Sequence, residues 1–128
     1  MRIVLLLACA VCLIGMAACS DEESQTVDVD LTEWAVTPSV PEVKAGKVTF
    51  AAHNRSAGMV HELAILRLTG SDKENLKEIE DLDPGKSESV TLTLKPGDYE
   101  LACVLVPGEA GSTADHYQQG MHTTFRVR

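Results

Sequence analysis

His61, Cys103, His116 and Met121 are the residues of this sequence with the most chemistry to offer. In chain order they supply an imidazole, a thiol, a second imidazole and a thioether. A thiolate with two imidazoles and a weak axial thioether is the donor set of a blue-copper electron-transfer site. Alternation supports a shared destination for them. Tyr99, Leu101 and Cys103 fall on one face of an extended segment, and the two apolar members mark that face as inward. Met121 shares a face with Phe125 and Val127 while His122 falls on the other, so Met121 is the better placed donor of that adjacent pair. Met59, two residues before His61, and His122 stand as auxiliary metal candidates. His53 lies on the outer face of its own segment and reads as an exposed strand-end residue.

The elements that must hold these donors are written mainly with period 2. Val27, Val29 and Leu31 alternate with Asp28, Asp30 and Thr32, and Val48, Phe50 and Ala52 repeat the pattern. His61 to Leu66 is a more continuously apolar strand, Ser89 to Leu94 alternates again, and Asp98 to Val106 and Met121 to Val127 are the last strands expected. Pro84-Gly85 and Pro96-Gly97 mark turns, since proline presets one torsion and glycine accepts the positive one. Six or seven strands in about 100 residues predict an all-β, Greek-key β-sandwich. One short helix is expected within residues 70–82: Ser71 and Glu74 form a capping box, and Leu76, Ile79 and Leu82 recur at helical spacing. The acidic residues of this region, Asp72, Glu74, Glu78, Glu80, Asp81 and Asp83, then read as a solvated helix face, or as a docking patch for a basic redox partner.

The start of the chain places the domain. Arg2 precedes an unbroken apolar run from Ile3 to Ile14, followed by small residues before Cys19. This pattern predicts a signal peptide over 1–18, because the run is shorter than the roughly 20 residues that cross a bilayer as a helix. Ala17-Ala18-Cys19 resembles the lipobox of bacterial lipoproteins, with Met16 where leucine is usual, so Cys19 is the expected lipidation site. Acyl chains there anchor a protein firmly, at about 0.8 kcal/mol per buried methylene. Residues 19–25 then form a polar tether and 26–128 a single domain. Ser20 hints weakly at outer-membrane sorting, and the expected location is the cell envelope, facing the periplasm or the exterior.

Loss of Arg2 with that segment takes the basic residues from 11 to 10 against 19 acidic ones, a net charge of −9. Nucleic acid and anionic lipid surfaces are poor partners for such a chain, and a charged protein partner should be basic. Cys9 and Cys12 leave with the signal peptide and Cys19 is acylated, which strands Cys103 alone in an oxidising compartment. A lone cysteine there is inert, open to an outside partner, or bound to metal.

Across nearly the whole mature chain the sequence resembles the cupredoxins, especially small plastocyanin-like secreted domains. The resemblance is carried by VPEVKAGKVTFAAHN, VHELAILRL, DLDPGKSESVTLTLKPGDYELACVLVPG and HYQQGMHTTFRV. It implies a first histidine opening a strand, a cysteine ending the penultimate strand, a second histidine in the next loop and a methionine five residues on. Those places are held by His61, Cys103, His116 and Met121, and the implied cofactor is one type 1 copper. Two departures stand out. Twelve residues, VLVPGEAGSTAD, separate Cys103 from His116 where compact members have only a few. Tripling a loop from about four to about twelve residues costs only about 1 kcal/mol, against the order of 10 kcal/mol that metal binding supplies in comparable thiolate sites. Glu62 stands where many members place asparagine to tie the two ligand loops together.

The function expected from these readings is single-electron transfer between redox partners in the envelope by a membrane-anchored monomer. Copper storage, delivery or resistance would use the same donors, and a metal-free cupredoxin-like interaction module would use none. No catalytic residue is assigned: His-x-His pairs and a second cysteine near Cys103 are both missing, and a metal role for Cys103 leaves no credible triad.

Overall fold

The computed structural model describes residues 23–128. The expected signal peptide, Cys19 and most of the tether lie outside the described residues. Among the described residues no helix is long and apolar enough to cross a membrane.

The alternating segments become strands with one dry face. Val27, Val29 and Leu31 are fully buried on β1 (Gln25–Thr32), and Val48, Phe50 and Ala52 likewise on β4 (Gly46–Asn54). With β2 (Ala35–Pro38) and β7 (Ser87–Leu94) they form a four-stranded sheet in the order β2-β1-β4-β7. The second sheet holds five strands in the order β3-β9-β8-β5-β6: β3 (Glu42–Val43), β5 (His61–Thr69), β6 (Asp72–Leu82), β8 (Gly97–Ala102) and β9 (His122–Val127). β1 runs parallel to β4 and β3 parallel to β9, and the other neighbours are antiparallel. The chain passes repeatedly from one sheet to the other, as expected of a Greek-key sandwich. Phe50 and Phe125 meet edge to face across the interior at 5.5 Å. Each large side chain buried in this way contributes roughly 1.5–3 kcal/mol.

The helix expected within 70–82 is instead β6, the edge strand beside β5. Two register shifts in the β5–β6 ladder explain the misleading spacing. Leu66 pairs with Asn75 and Ile65 with Lys77, which leaves Leu76 as an added residue. Leu63 pairs with Ile79 and His61 with Leu82, adding a further residue near Asp81, whose φ is 48°. A bulge lengthens a two-residue repeat by one, so Leu76, Ile79 and Leu82 reach the core at helix-like intervals from a strand. The acidic residues therefore lie along a sheet edge, where charge also opposes edge-to-edge aggregation.

Two smaller differences concern strand ends. β8 stops at Ala102, so Cys103 to Val106 leave the ladder that was expected to continue. β1 begins at Gln25, the last residue of the expected tether, whose side chain donates to Lys44 O and accepts from Lys44 N.

Candidate metal centre

His61 opens β5, and the turn before it is fixed by Asn54, which is only 1% exposed. The Asn54 amide donates to Met59 O at 2.8 Å and Leu82 O at 2.7 Å, while its Oδ1 accepts from Ser56 N at 2.9 Å. Cys103 follows the last residue of β8, where its N–H donates to Met121 O at 2.9 Å. Met121 N donates to His116 O at 3.1 Å, and His116 N donates to Leu105 O at 2.9 Å. Main-chain bonds thus lace the cysteine, the second histidine and the methionine into one unit.

This arrangement buries His61, Cys103 and His116 together, with their donor atoms all within 4.8 Å of one another. His61 Nδ1 lies 3.2 Å from His116 Nδ1, and Cys103 Sγ lies 3.4 Å from His116 Nδ1. Met121 is fully buried and, like Cys103, belongs to the apolar core of the sandwich. His61 Nε2 has no hydrogen-bond partner, the only such buried side-chain atom among the described residues.

Burial keeps every group of the trio neutral. It lowers His61 to about 4, aided by charge on His116 and opposed by Glu33. It lowers His116 as well, against the pull of Asp115. It pushes the Cys103 thiol up to about 11, although backbone N–H groups of Glu62 and Leu105 act the other way. The imidazoles are thus free bases near neutral pH, and the thiol needs a cation to ionise. Bonds from zinc to imidazole nitrogen and thiolate are about 2.0–2.3 Å long, so two such donors on one ion lie within roughly 4.6 Å. The two donor separations satisfy that bound, and thiolate with imidazole suits copper or zinc. The residues fit the expected metal.

Glu62 supplies the tie for which asparagine is more usual. Its N–H points at Cys103 Sγ at 3.4 Å, and its carboxylate accepts from Val104 N at 3.0 Å, so it grips the cysteine segment from both ends. Burial, with Glu78 nearby, raises this carboxyl to about 7. Glu62, Glu78, Glu80, Asp81 and Glu109 line an open cleft of about 530 Å³ beside Val104 to Val106.

Residues 104–115 form a lid with its own hydrogen bonds. Glu109 N donates to Val106 O at 3.1 Å, Ser112 N to Glu109 O at 2.7 Å, and Gly108 N to Ser112 O at 2.9 Å. The lid leaves His116 only 2% exposed. Trp34, in the β1–β2 turn, meets the His116 ring edge-on at 5.4 Å. A cavity of about 140 Å³ separates Trp34, Met59 and Val60 from the lid.

Of the auxiliary candidates, Met59 is 39% exposed at the mouth of that cavity and is not one of the trio. His122 lies on the outer face, stacked on Tyr117 at 4.3 Å and 3.5 Å from Glu100 Oε1. His53 is held on the other sheet between Ser87 (2.8 Å) and Asp28 (3.0 Å). The sequence reading did not single out Asn54, Trp34 or Ser112. Each acts through a contact across a large sequence separation or within an irregular loop, where periodicity carries no signal.

Comparison with known proteins agrees with this architecture. The auracyanin of Roseiflexus castenholzii superposes with a TM-score of 0.61 at 21% identity, covering 81% of this chain and 97% of that one. Auracyanin A of Chloroflexus aurantiacus, a blue copper protein, gives 0.59 at 23%, covering 83% and 100%. In sequence, the iron uptake system component EfeO of Escherichia coli O6:H1 is 31% identical over 87 residues, which is 66% of this chain but 21% of that protein. EfeO of Yersinia pestis is 28% identical over 88 residues, 68% of this chain and 22% of its own length. The chain thus spans only about a fifth of the curated relatives it matches. The family defined by the cupredoxin-like domain matches residues 3–112, most of the sequence, and the chain belongs to that cupredoxin-like family.

Proposed function

We propose that this protein is an electron carrier with one type 1 copper, which His61, Cys103 and His116 would hold with Met121 as a weak fourth donor. The observation that carries the reading is the buried His-Cys-His trio, its donor atoms within 4.8 Å of one another. Copper, when bound, supplies a one-electron couple. Cys103 would offer a thiolate with the Glu62 N–H pointed at its sulfur, and the main-chain bonds among Cys103, His116 and Met121 would hold these donor segments in place. The fold shared with the auracyanins is consistent with this assignment. The acidic cleft beside the cysteine segment suits a basic redox protein, and such an encounter slows as salt screens it.

The test is an optical spectrum of the purified protein with one equivalent of Cu(II). An intense thiolate-to-copper band toward the red is expected, and a colourless protein overturns the reading. Met121→Leu should keep the band, lose less than about tenfold in affinity (1.4 kcal/mol), and raise the reduction potential, because an apolar neighbour supports Cu(II) less than sulfur does. If it loses copper as completely as a Cys103 variant, the site is closer to a Cu(I) store than to an electron carrier.

The carrier is anchored in the cell envelope through acylated Cys19, with 1–18 removed and 26–128 as the working domain. Cys19→Ser should move the protein from the membrane to the soluble fraction, and unchanged membrane retention would contradict the anchor. A second reading follows from the likeness to EfeO: the domain serves metal uptake, with a metal ion as electron donor. Rapid bleaching of the oxidised protein by ferrous iron, but not by a reduced basic redox protein, would favour it.

A further inference from the structure

We propose that Ser112, in the long lid, is a positioning residue that sets the tautomer of His116 and so presents Nδ1 as a lone pair to the metal site. The argument is one of protons. A serine hydroxyl has one hydrogen to donate and two lone pairs to accept with. Ser112 Oγ lies 2.8 Å from Ala114 O, and two oxygens at that separation need a proton between them, which only the hydroxyl can supply. Ala114 N donates to the same Oγ at 3.1 Å and occupies one lone pair. His116 Nε2 lies 2.9 Å from Oγ, where one lone pair remains. The imidazole must therefore donate, so Nε2 carries the hydrogen and Nδ1 does not.

The free Nδ1 is the atom turned toward His61 Nδ1 at 3.2 Å and Cys103 Sγ at 3.4 Å. In the metal-free protein it accepts a hydrogen bond from one of these two, and on metal binding it is already in the ligating form. The twelve residues between Cys103 and His116 thereby do more than span a gap. Their hydrogen bonds at Val106, Gly108, Glu109 and Ser112 bring one hydroxyl back onto the outer edge of the imidazole, and His116 is covered by its own connecting loop. Partners of this kind on the far nitrogen of a ligating histidine raise metal affinity about 10- to 100-fold.

The tautomer is read in the metal-free, ¹⁵N-labelled full-length protein in detergent, from the couplings of the ring nitrogens at a pH where His116 is neutral. This arm does not depend on the copper reading, whereas the affinity arm does. Wild type and Thr113→Ala, a change at the exposed neighbouring residue, should show His116 wholly as the Nε2–H form. Ser112→Ala should show both tautomers and bind Cu(I) about 10- to 100-fold more weakly in competition with a chelator. An Nδ1–H form in wild type overturns the proposal, as does a Ser112→Ala protein with unchanged tautomer and affinity. Equal losses in Ser112→Ala and Thr113→Ala also overturn it, because they would assign the effect to the loop as a whole. A protein with the expected tautomer but no copper site refutes the function proposed above and leaves the Ser112 contact standing.

Discussion

Cys103→Ser is expected to abolish the red absorption band outright and to weaken copper binding by more than about 100-fold, since removing a ligand should exceed the 10- to 100-fold effect of removing a ligand's own partner. The band needs a thiolate donor, and a hydroxyl in the same place is neither soft nor easily ionised. The domain should survive the change. Serine is nearly isosteric, the Glu62 N–H that points at the sulfur can reach an oxygen instead, and the Cys103 N–H bond to Met121 O is untouched. Circular dichroism of the metal-free variant should therefore match wild type. His116→Ala should also lose the band, whereas His53→Ala should keep it, because His53 sits on the opposite sheet between Asp28 and Ser87. A Cys103→Ser protein that remains coloured, or equal losses from His53→Ala and His116→Ala, would show that the donors have been misassigned.

The inward direction of Cys103 and Met121 was legible in the sequence because strand periodicity constrains direction. Once Tyr99 and Leu101 are known to face inward, Cys103 has to follow, and Phe125 and Val127 do the same for Met121. The same logic failed at β6, where Leu76, Ile79 and Leu82 step by three through two register shifts. A bulged edge strand and a helix leave similar apolar spacing, and only the partner strand β5 decides between them. The lid was illegible for a different reason. Its conformation comes from individual hydrogen bonds such as those of Ser112, and its Gly and Ala residues carry no periodic signal. Glu62 looked like a missing tie because the resemblance favoured asparagine there, yet its carboxylate reaches Val104 N and holds the same two segments together.

Copper affinity should rise about tenfold for each pH unit above 7 and more steeply than that below it. Free Cys103 keeps its proton up to about 11, while the bound form is a thiolate, so binding displaces one proton at every pH between neutrality and that value. Below about 7 the Glu62 carboxyl is also protonated in the free protein, and a cation beside it favours its release. On further acidification His61, near 4, takes a proton that copper must remove, and so does His116, whose burial likewise disfavours the charged ring. From pH 8 to pH 5 the loss is at least about a thousandfold, roughly 4 kcal/mol. Metal-free stability responds differently. His61 is lowered on folding, from 6.5 to about 4, so its share of stability is present above 6.5 and lost as pH falls through 4. Glu62 is raised, from 4.5 to about 7, so its share is present below 4.5 and lost as pH rises through 7. These two opposing windows overlap between about 4.5 and 6.5, where the shares of His61 and Glu62 offset each other. Chelator competition from pH 5 to 9, corrected for the chelator's own protons, measures the slope. A flat profile above pH 7 would mean that Cys103 is already ionised without metal, contrary to a thiol whose burial outweighs the two N–H groups that stabilise its charge.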